Sequence, residues 1–243
     1  MTRPDYTSLE LPPPPADRPY VLLNMVMSAD GKVVLEETEQ GIGSPVDQRL
    51  MRELRVNADV VLNGAETLRK SGSSPRLGGF AELEQLRRDR GQSRFPIVAT
   101  ISASGELPLE RIFFTADDFE AVVYLSSSAP ASRRSALAAT GRKVVDVSVG
   151  NEVPEMLRHM RAELGARVLL LEGGPTLNAA FFSTGAVDEV FLTVGPVVVG
   201  GVENKTPVEG PPYGREAAPR LTLVSAIPHD ETGEVFLRYR VRR

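Results

Sequence analysis

The feature that most constrains the fold is a run of four apolar residues, Val168 to Leu171, followed by Glu172, two glycines and Pro175. An unbroken apolar run of this length is typical of a strand that is buried on both faces. Proline favours the first position of a helix, so a helix is predicted directly after the glycines. Such a junction exposes backbone N–H groups and the positive end of a helix dipole, which together attract anions. A plain turn with a capping proline fits this stretch equally well.

Composition excludes several kinds of site. The 243-residue chain has no cysteine and only two histidines, which rules out disulfides, thiolate catalysis and multi-histidine metal centres. A net charge of −4 and 6% aromatic residues do not match the basic, stacking surfaces of nucleic-acid binders. No apolar run approaches the length of a membrane span, and the N-terminus lacks a signal-peptide core. We therefore expect a cytoplasmic protein that binds small molecules and no metal, nucleic acid or membrane.

Strand and helix patterns alternate along most of the chain, which predicts an α/β fold with a mostly parallel central sheet and helices on both faces. The two final strands flank a polar turn and predict a C-terminal antiparallel hairpin. Residues 1–17, which include four consecutive prolines, are predicted to form a leader outside the core, and residues 18–243 a single domain. Strands are predicted at 18–27, 58–63, 95–100, 121–125, 143–147, 168–171, 187–194, 220–227 and 234–241, and helices at 44–57, 81–90, 129–139 and 152–164.

Three of the predicted strands end in residues that suit a ligand site, namely Asp30, Gly64 and Glu172. Because ligands bind at the carboxyl ends of the strands in open parallel sheets, we expect these residues to line one cleft. Asn24 lies within the first strand, where a buried amide is either a structural bridge or a ligand contact. Arg55 ends the helix that begins at 44 and can point into the same cleft.

Several segments then form a recognisable series. They are Arg18-Pro19-Tyr20 with Met27-Ser28-Ala29-Asp30-Gly31-Lys32; Ser44-Pro45 with Leu54-Arg55 and Asp59-Val60-Val61-Leu62-Asn63-Gly64-Ala65-Glu66-Thr67-Leu68; Leu171-Glu172-Gly173-Gly174-Pro175-Thr176-Leu177; Val187-Asp188-Glu189-Val190; and Pro196-Val197-Val198-Val199-Gly200-Gly201. In order and spacing they resemble the pyrimidine reductase family of riboflavin biosynthesis. That family is the reductase half of a bifunctional deaminase/reductase and has a dihydrofolate-reductase-like fold.

The resemblance implies an NADPH-dependent enzyme. Its substrate would be 5-amino-6-(5-phosphoribosylamino)uracil, whose ribose is reduced to a ribityl chain by hydride transfer to C1′ of an opened, imine-like form. This chemistry requires the nicotinamide to be held against the reacting carbon with water excluded. The chain has no zinc motif of the deaminase half, so the resemblance implies a stand-alone reductase, and a homodimer as in most of the family.

The resemblance also assigns roles to individual residues. Asp30, as a proton relay, and Asn24 would line the catalytic centre. The substrate-binding residues would be Arg55, Glu172, Ser44 and Arg76. The cofactor-binding residues would be Met27, Gly64, Thr67, Ser102, Gly173, Gly174, Pro175, Thr176 and Leu177.

This sequence departs from the family pattern at three places. Asn24 stands where bacterial bifunctional members carry lysine and resembles archaeal members instead. Glu66 replaces a small residue, and residues 70–77 replace a family stretch that includes a phosphate-binding arginine, for which Arg76 would substitute. Two further hypotheses therefore stay open. One is a related NAD(P)H- or deazaflavin-dependent reductase that acts on another substrate, such as a dihydropterin. The other is a non-catalytic nucleotide-binding protein of the same fold.

Overall fold

One mixed sheet forms the centre of the protein in the computed structural model, which describes residues 3–36 and 40–242. Among these residues the sheet has nine strands, in the order β5-β4-β3-β2-β6-β1-β7-β9-β8. The strands are β1 (Tyr20–Ser28), β2 (Val60–Gly64), β3 (Ile97–Ser102), β4 (Ala121–Ser126), β5 (Lys143–Val147), β6 (Val168–Leu171), β7 (Glu189–Gly195), β8 (Leu221–His229) and β9 (Glu234–Val241). The helices are α1 (Pro45–Asn57), α2 (Ala65–Ser71), α3 (Ala81–Asp89), α4 (Ile112–Thr115), α5 (Ala131–Ala138), α6 (Glu152–Ala162) and α7 (Pro175–Ser183).

The seven strands from β5 to β7 run parallel, and β9 and β8 complete the sheet as antiparallel strands. The predicted α/β fold with a C-terminal antiparallel hairpin is therefore confirmed. The short helix α4 was not predicted. No helix formed by residues 3–36 and 40–242 combines the length and apolar content that crossing a bilayer requires.

The apolar run that opens β6 is buried on both faces, as its sequence predicts. Leu170 packs with Leu50 and Leu54 of α1 on one face. Leu169 and Leu171 pack on the other face with residues of α6 and α7, among them Met160. Each fully buried side chain of this size stabilises the fold by about 1.5–3 kcal/mol. This packing on both faces fixes the position of the central strands and therefore of their carboxyl ends.

Helix α1 begins as predicted and ends on a contact that the sequence did not reveal. Ser44 is its N-cap, because its hydroxyl oxygen accepts hydrogen bonds from the N–H groups of the first turn. At the other end Arg87 of α3 donates to the carbonyl oxygens of Arg55, Val56 and Ala58 at 2.9, 3.3 and 2.7 Å. The Arg87 side chain is almost fully buried, and burial lowers its pKa to about 10. This buried cation satisfies the carbonyls that a helix C-terminus leaves unpaired.

The predicted placement of residues 1–17 outside the core is wrong for part of this segment. Tyr6 is buried, and its ring lies edge-on to Phe191 at 4.9 Å between ring centroids. Its backbone N–H donates to the carboxylate of Glu53, which also accepts two hydrogen bonds from Arg3. Because Glu53 of α1 is itself buried, Arg3 and Tyr6 provide partners that a buried carboxylate requires.

Candidate active site

A cleft of about 780 Å³ lies over the carboxyl ends of the parallel strands. Residues of β1, β2, β3, β4 and the β6–α7 junction line it, together with one face of α1 and the first residues of α6. This is the edge of an open parallel sheet at which ligands bind. The volume is in the range of small-molecule sites. The cleft is therefore the candidate active site.

Most residues that the sequence analysis selected line this cleft, and four do not. Those that line it are Asn24, Arg55, Gly64, Thr67, Ser102, Glu172, Gly173, Gly174, Pro175, Thr176 and Leu177. Those that lie outside its lining are Met27, Asp30, Ser44 and Arg76.

The two strand–glycine–helix junctions pack against each other in the middle of the cleft. The Gly64 N–H donates to the Gly173 carbonyl oxygen at 2.8 Å, and a Cβ on Gly64 would lie 3.4 Å from the Gly174 nitrogen. Gly173 has φ +81°, and a Cβ there would lie 3.0 Å from the Met25 sulfur. At position 173, only glycine suits both the positive φ and the close approach of the Met25 side chain.

Helix α7 presents an open N-terminus to the cleft. Its N-cap is Gly174, which has no side chain that could accept a hydrogen bond from the N–H groups of the first turn. Pro175, Thr176 and Leu177 of that turn line the cleft. Uncapped N–H groups and the helix dipole favour an anion at this place. We call residues 173–177 with Gly64 the glycine cradle.

Arg55 and Glu172 form a buried, two-pronged ion pair on the cleft wall. Arg55 Nε and Nη2 each donate to one carboxylate oxygen of Glu172, both at 2.7 Å. The two side chains are only 10% and 7% exposed. Arg55 Nη1 donates to the carbonyl oxygen of Arg76 at 2.8 Å. Arg55 and Glu172, both predicted to contact the substrate, thus form an ion pair with each other. This pair joins the end of α1 to the end of β6.

Asp47, in the first turn of α1, lines the cleft and is not among the site residues predicted from the sequence. Burial raises its pKa to about 6, against the opposing effect of a hydrogen bond with Thr193 and with a further increase from the charge of Glu234. Such a carboxyl group is partly protonated near neutral pH and can exchange a proton with a ligand. The four-residue spacing of Asp47, Met51 and Arg55 places all three on one helix face, and this spacing could have identified Asp47.

Asn24 lies on β1 and faces the same cleft. Its side-chain amide makes no hydrogen bond with another residue in the described part of the chain. A free amide in a cleft offers both donors and an acceptor to a ligand. Of the two predictions made for Asn24, the ligand contact fits the structure better than the structural bridge does.

Asp30, the predicted proton relay, is exposed and serves another purpose. Its carboxylate accepts hydrogen bonds from the Ser28 hydroxyl at 2.6 Å and from the N–H groups of Val199 and Gly200 at 3.0 and 2.7 Å. These bonds, that from Ser28 foremost, lower its pKa to about 2. Asp30 is therefore ionised at neutral pH and fastens the turn after β7 to the end of β1.

The other three predicted site residues that lie outside the cleft lining are Ser44, Arg76 and Met27. The Ser44 hydroxyl donates to Glu234 Oε2 at 2.6 Å while it caps α1. The Arg76 side chain is 41% exposed and pairs with Asp118 at 2.9 Å, so only its carbonyl group approaches Arg55. Met27 lies on β1 but is not among the cleft residues.

An anion-binding corner lies between α1 and the loop after α2. Arg52 lines the cleft there, and a Cβ on Gly78 would overlap its guanidinium, which places this side chain against the loop. Ser73 and Ser74 of the same loop also line the cleft. The Ser73 hydroxyl is buried and has no hydrogen-bond partner among the described residues. A buried hydroxyl without a partner is costly unless a ligand supplies one.

Comparison with known proteins assigns this arrangement to a family. The model of the RibD C-terminal domain matches residues 19–232. The 2,5-diamino-6-ribosylamino-4(3H)-pyrimidinone 5′-phosphate reductase of Methanothermobacter thermautotrophicus is 30% identical over 193 residues, which are 79% of this chain and 85% of the relative.

Solved structures show the same fold. A pyrimidine reductase-like protein from Corynebacterium diphtheriae superposes with a TM-score of 0.83 at 23% identity and covers 93% of both chains. Dihydrofolate reductase from Enterococcus faecalis superposes with a TM-score of 0.52 at 12% identity, over 92% of this chain and 97% of the other. The predicted dihydrofolate-reductase-like fold is therefore confirmed.

The ion pair on the cleft wall predicts a specific loss of stability. Arg55→Met leaves the Glu172 carboxylate buried without its partner, and we expect the free energy of unfolding to fall by about 3 kcal/mol. Chemical denaturation measures it. Arg76→Met removes an exposed pair and should cost under about 1 kcal/mol. Equal losses in the two variants would contradict a structural role for the Arg55–Glu172 pair.

Proposed function

The chain belongs to the RibD C-terminal domain family, and on this premise we propose that it is a reductase of riboflavin biosynthesis. It reduces the ribose of a ribosylaminopyrimidine 5′-phosphate to a ribityl chain. The observation that carries the proposal is a single cleft with three features. It holds the glycine cradle, the side-chain amide of Asn24, and the carboxyl group of Asp47, whose raised pKa suits proton exchange. The name of the archaeal relative supports the substrate class.

A nicotinamide dinucleotide fits the middle of this cleft. The glycine cradle offers uncapped N–H groups of α7 to a pyrophosphate, and Gly64 and Gly173 let the backbone approach it closely. Thr67 lines the same place, and Ser102 lies at the end of β3 beyond it. When bound, the dinucleotide supplies the hydride. The family resemblance implies NADPH, and the residues around the adenosine ribose decide between NADPH and NADH.

The substrate occupies the end of the cleft nearest α1. Asn24 binds the ribosylamine through its free amide, and Asp47 in its protonated form delivers the proton that accompanies the hydride when the C1′–nitrogen double bond is reduced. One hydride and one proton complete the two-electron reduction. The Arg55–Glu172 pair forms a rigid wall beside this site and keeps the substrate in the orientation that the reaction requires.

The 5′-phosphate of the substrate binds in the anion-binding corner. Arg52 supplies the positive charge, and the Ser73 hydroxyl gains the hydrogen-bond partner that it lacks in the protein alone. This corner replaces the phosphate contact expected of Arg76, which pairs with Asp118 and does not line the cleft.

We also infer a cytoplasmic homodimer. The edge strand β8 exposes three apolar side chains, Leu221, Leu223 and Val224, and a second copy of the chain would cover them. The location rests on the cysteine-free sequence and on the biosynthetic role of the relatives.

An assay of dinucleotide oxidation tests the proposal. Purified protein is mixed with NADPH or NADH and either the 2,5-diamino pyrimidinone substrate named for the archaeal relative or its deaminated uracil analogue. We expect turnover with at least one of them and a ribityl product by mass spectrometry. Turnover with dihydrofolate alone would replace the proposal by a pterin reductase. Tight dinucleotide binding without any turnover would favour a non-catalytic nucleotide-binding protein.

The cradle generates a binding prediction. A Cβ on Gly174 would meet only Thr67 Oγ1, at 3.9 Å, so Gly174→Val should fold normally. Its side chain would then fill the place of the pyrophosphate, and we expect dinucleotide affinity to fall by at least about 100-fold, close to 3 kcal/mol. Titration calorimetry measures the affinity. Gly214→Val, at an exposed glycine with open space around it, is the matched control. Unchanged affinity in Gly174→Val would refute the cradle.

Asp47 generates a prediction about pH. Because the protonated form donates and its pKa is about 6, kcat should fall as the pH rises through 6. Asp47→Asn should lower kcat by about 100-fold or more and remove this pH dependence. Asp30→Asn is the comparison, since a carboxyl group with a pKa of about 2 cannot produce that limb. A profile that loses its limb in Asp30→Asn but not in Asp47→Asn would show that the assignment of the proton donor is wrong.

A further inference from the structure

The two ends of the cleft differ in charge. Cations line it on α1, at the end of α2 and in the segment after β7; they are Arg52, Arg55, Lys70 and Lys205. The carboxylates of Asp47, Glu66 and Glu172 line the same part. The opposite end is formed by β3, β4 and the start of α6. Among the described residues its lining is Ile101, Ser102, Ala103, Ser126, Glu152 and Val153, and it contains a carboxylate and no cation.

The glycine cradle lies between these two ends. In the sheet, β1 is followed by β6, β2, β3 and β4, so four strand spacings of about 4.8 Å separate β1 from β4. The proposed substrate end contains Asn24 of β1, so a dinucleotide with its pyrophosphate on the cradle would direct its nicotinamide toward β1. Its adenosine would then extend over β3 and β4. The end of the cleft that has hydroxyl groups and one carboxylate is therefore the adenosine end.

The polar groups at this end suit hydroxyl groups. The Ser102 oxygen accepts the Gly105 N–H at 2.9 Å, and its own proton is not donated to any described residue. The Ser126 hydroxyl bonds with that of Ser128 at 2.9 Å. Glu152, the first residue of α6, makes no hydrogen bond or ion pair with another residue of the described chain. Its carboxylate is thus available as an acceptor at the rim of the cleft.

We propose that the adenosine end recognises a ribose with a free 2′-hydroxyl and that Glu152 is the specificity-determining residue, so that the protein prefers NADH to NADPH. A carboxylate accepts a hydrogen bond from the 2′-hydroxyl, whereas a 2′-phosphate is normally received by an arginine. The phosphate would bring about two negative charges next to Glu152 with no cation to offset them. This inference rests on the proposed reductase function and departs from the NADPH that the family resemblance implies.

Two arginines of neighbouring helices do not line this end and have other partners. Arg133 of α5 pairs with the Glu106 carboxylate at 3.0 Å. Arg69 of α2 donates to the Glu106 carbonyl oxygen at 3.0 Å and pairs with Glu66. Glu106, in the loop that follows β3, thereby binds both guanidinium groups. A 2′-phosphate in the cleft would have to disrupt these contacts to reach either cation.

Direct binding of the two dinucleotides tests the inference. Calorimetric titration with NADH and with NADPH should give tighter binding of NADH by about tenfold, which corresponds to 1.4 kcal/mol. In Glu152→Arg the preference should invert. Glu163→Arg makes the same change of charge on an exposed residue just after α6 and should leave the ratio unchanged. Ala103 is an exposed residue that lines the cleft in the loop after β3. Ala103→Arg is a second variant in which we expect NADPH to bind more tightly than NADH.

The outcomes separate this inference from the proposed function. Equal binding of the two dinucleotides, or tighter binding of NADPH, by the unaltered protein would overturn the preference alone. A ratio unchanged in both folded variants would overturn the role of Glu152. Failure of either dinucleotide to bind would overturn the reductase function and the inference with it.

Discussion

The buried ion pair between Arg55 and Glu172 is the constraint on which the site depends. It joins the last turn of α1 to the end of β6, and both charges are largely removed from water. Such a pair is tolerable only if its geometry is held firmly. Arg87 supplies that support when it binds the carbonyl groups at the end of α1. At the middle of α1, Glu53 is held by Arg3 and by the backbone of Tyr6, so the N-terminal segment helps to position the cleft wall.

The chemical groups that line the cleft differ along its length, and each part suits a different part of a ligand. At the α1 end a carboxyl group of raised pKa, Asp47, lies on the same helix face as Arg55. In the middle the glycine cradle presents the positive end of α7. At the far end the lining has hydroxyl groups and Glu152. A ligand with a negatively charged centre, one phosphorylated end and one hydroxyl-rich end is complementary to this pattern.

The elements were predictable where local signals agreed. Four apolar residues in β6, Ser44 as a cap and Pro175 at a first helical position each act within a few residues, and all three are confirmed. The roles of charged residues were not predictable in this way. Asp30 follows a strand as a catalytic residue would, yet the turn after β7 engages it. Arg87 belongs to a highly charged helix, typical of a solvated face, and is buried because α1 ends beside it.

The sequence by itself determined the order of the strands and of the helices other than α4, the parallel sheet with its antiparallel hairpin and the place of the glycine cradle. It could do so because apolar periodicity, glycine and proline restrict the backbone locally. Only the tertiary structure decided which charges meet. The pairing of Arg55 with Glu172 spans 117 residues, and the raised pKa of Asp47 arises from burial beside β7 and β9. Long-range packing sets desolvation and distance between charges, and these two quantities fix whether a polar residue binds a ligand or supports the fold.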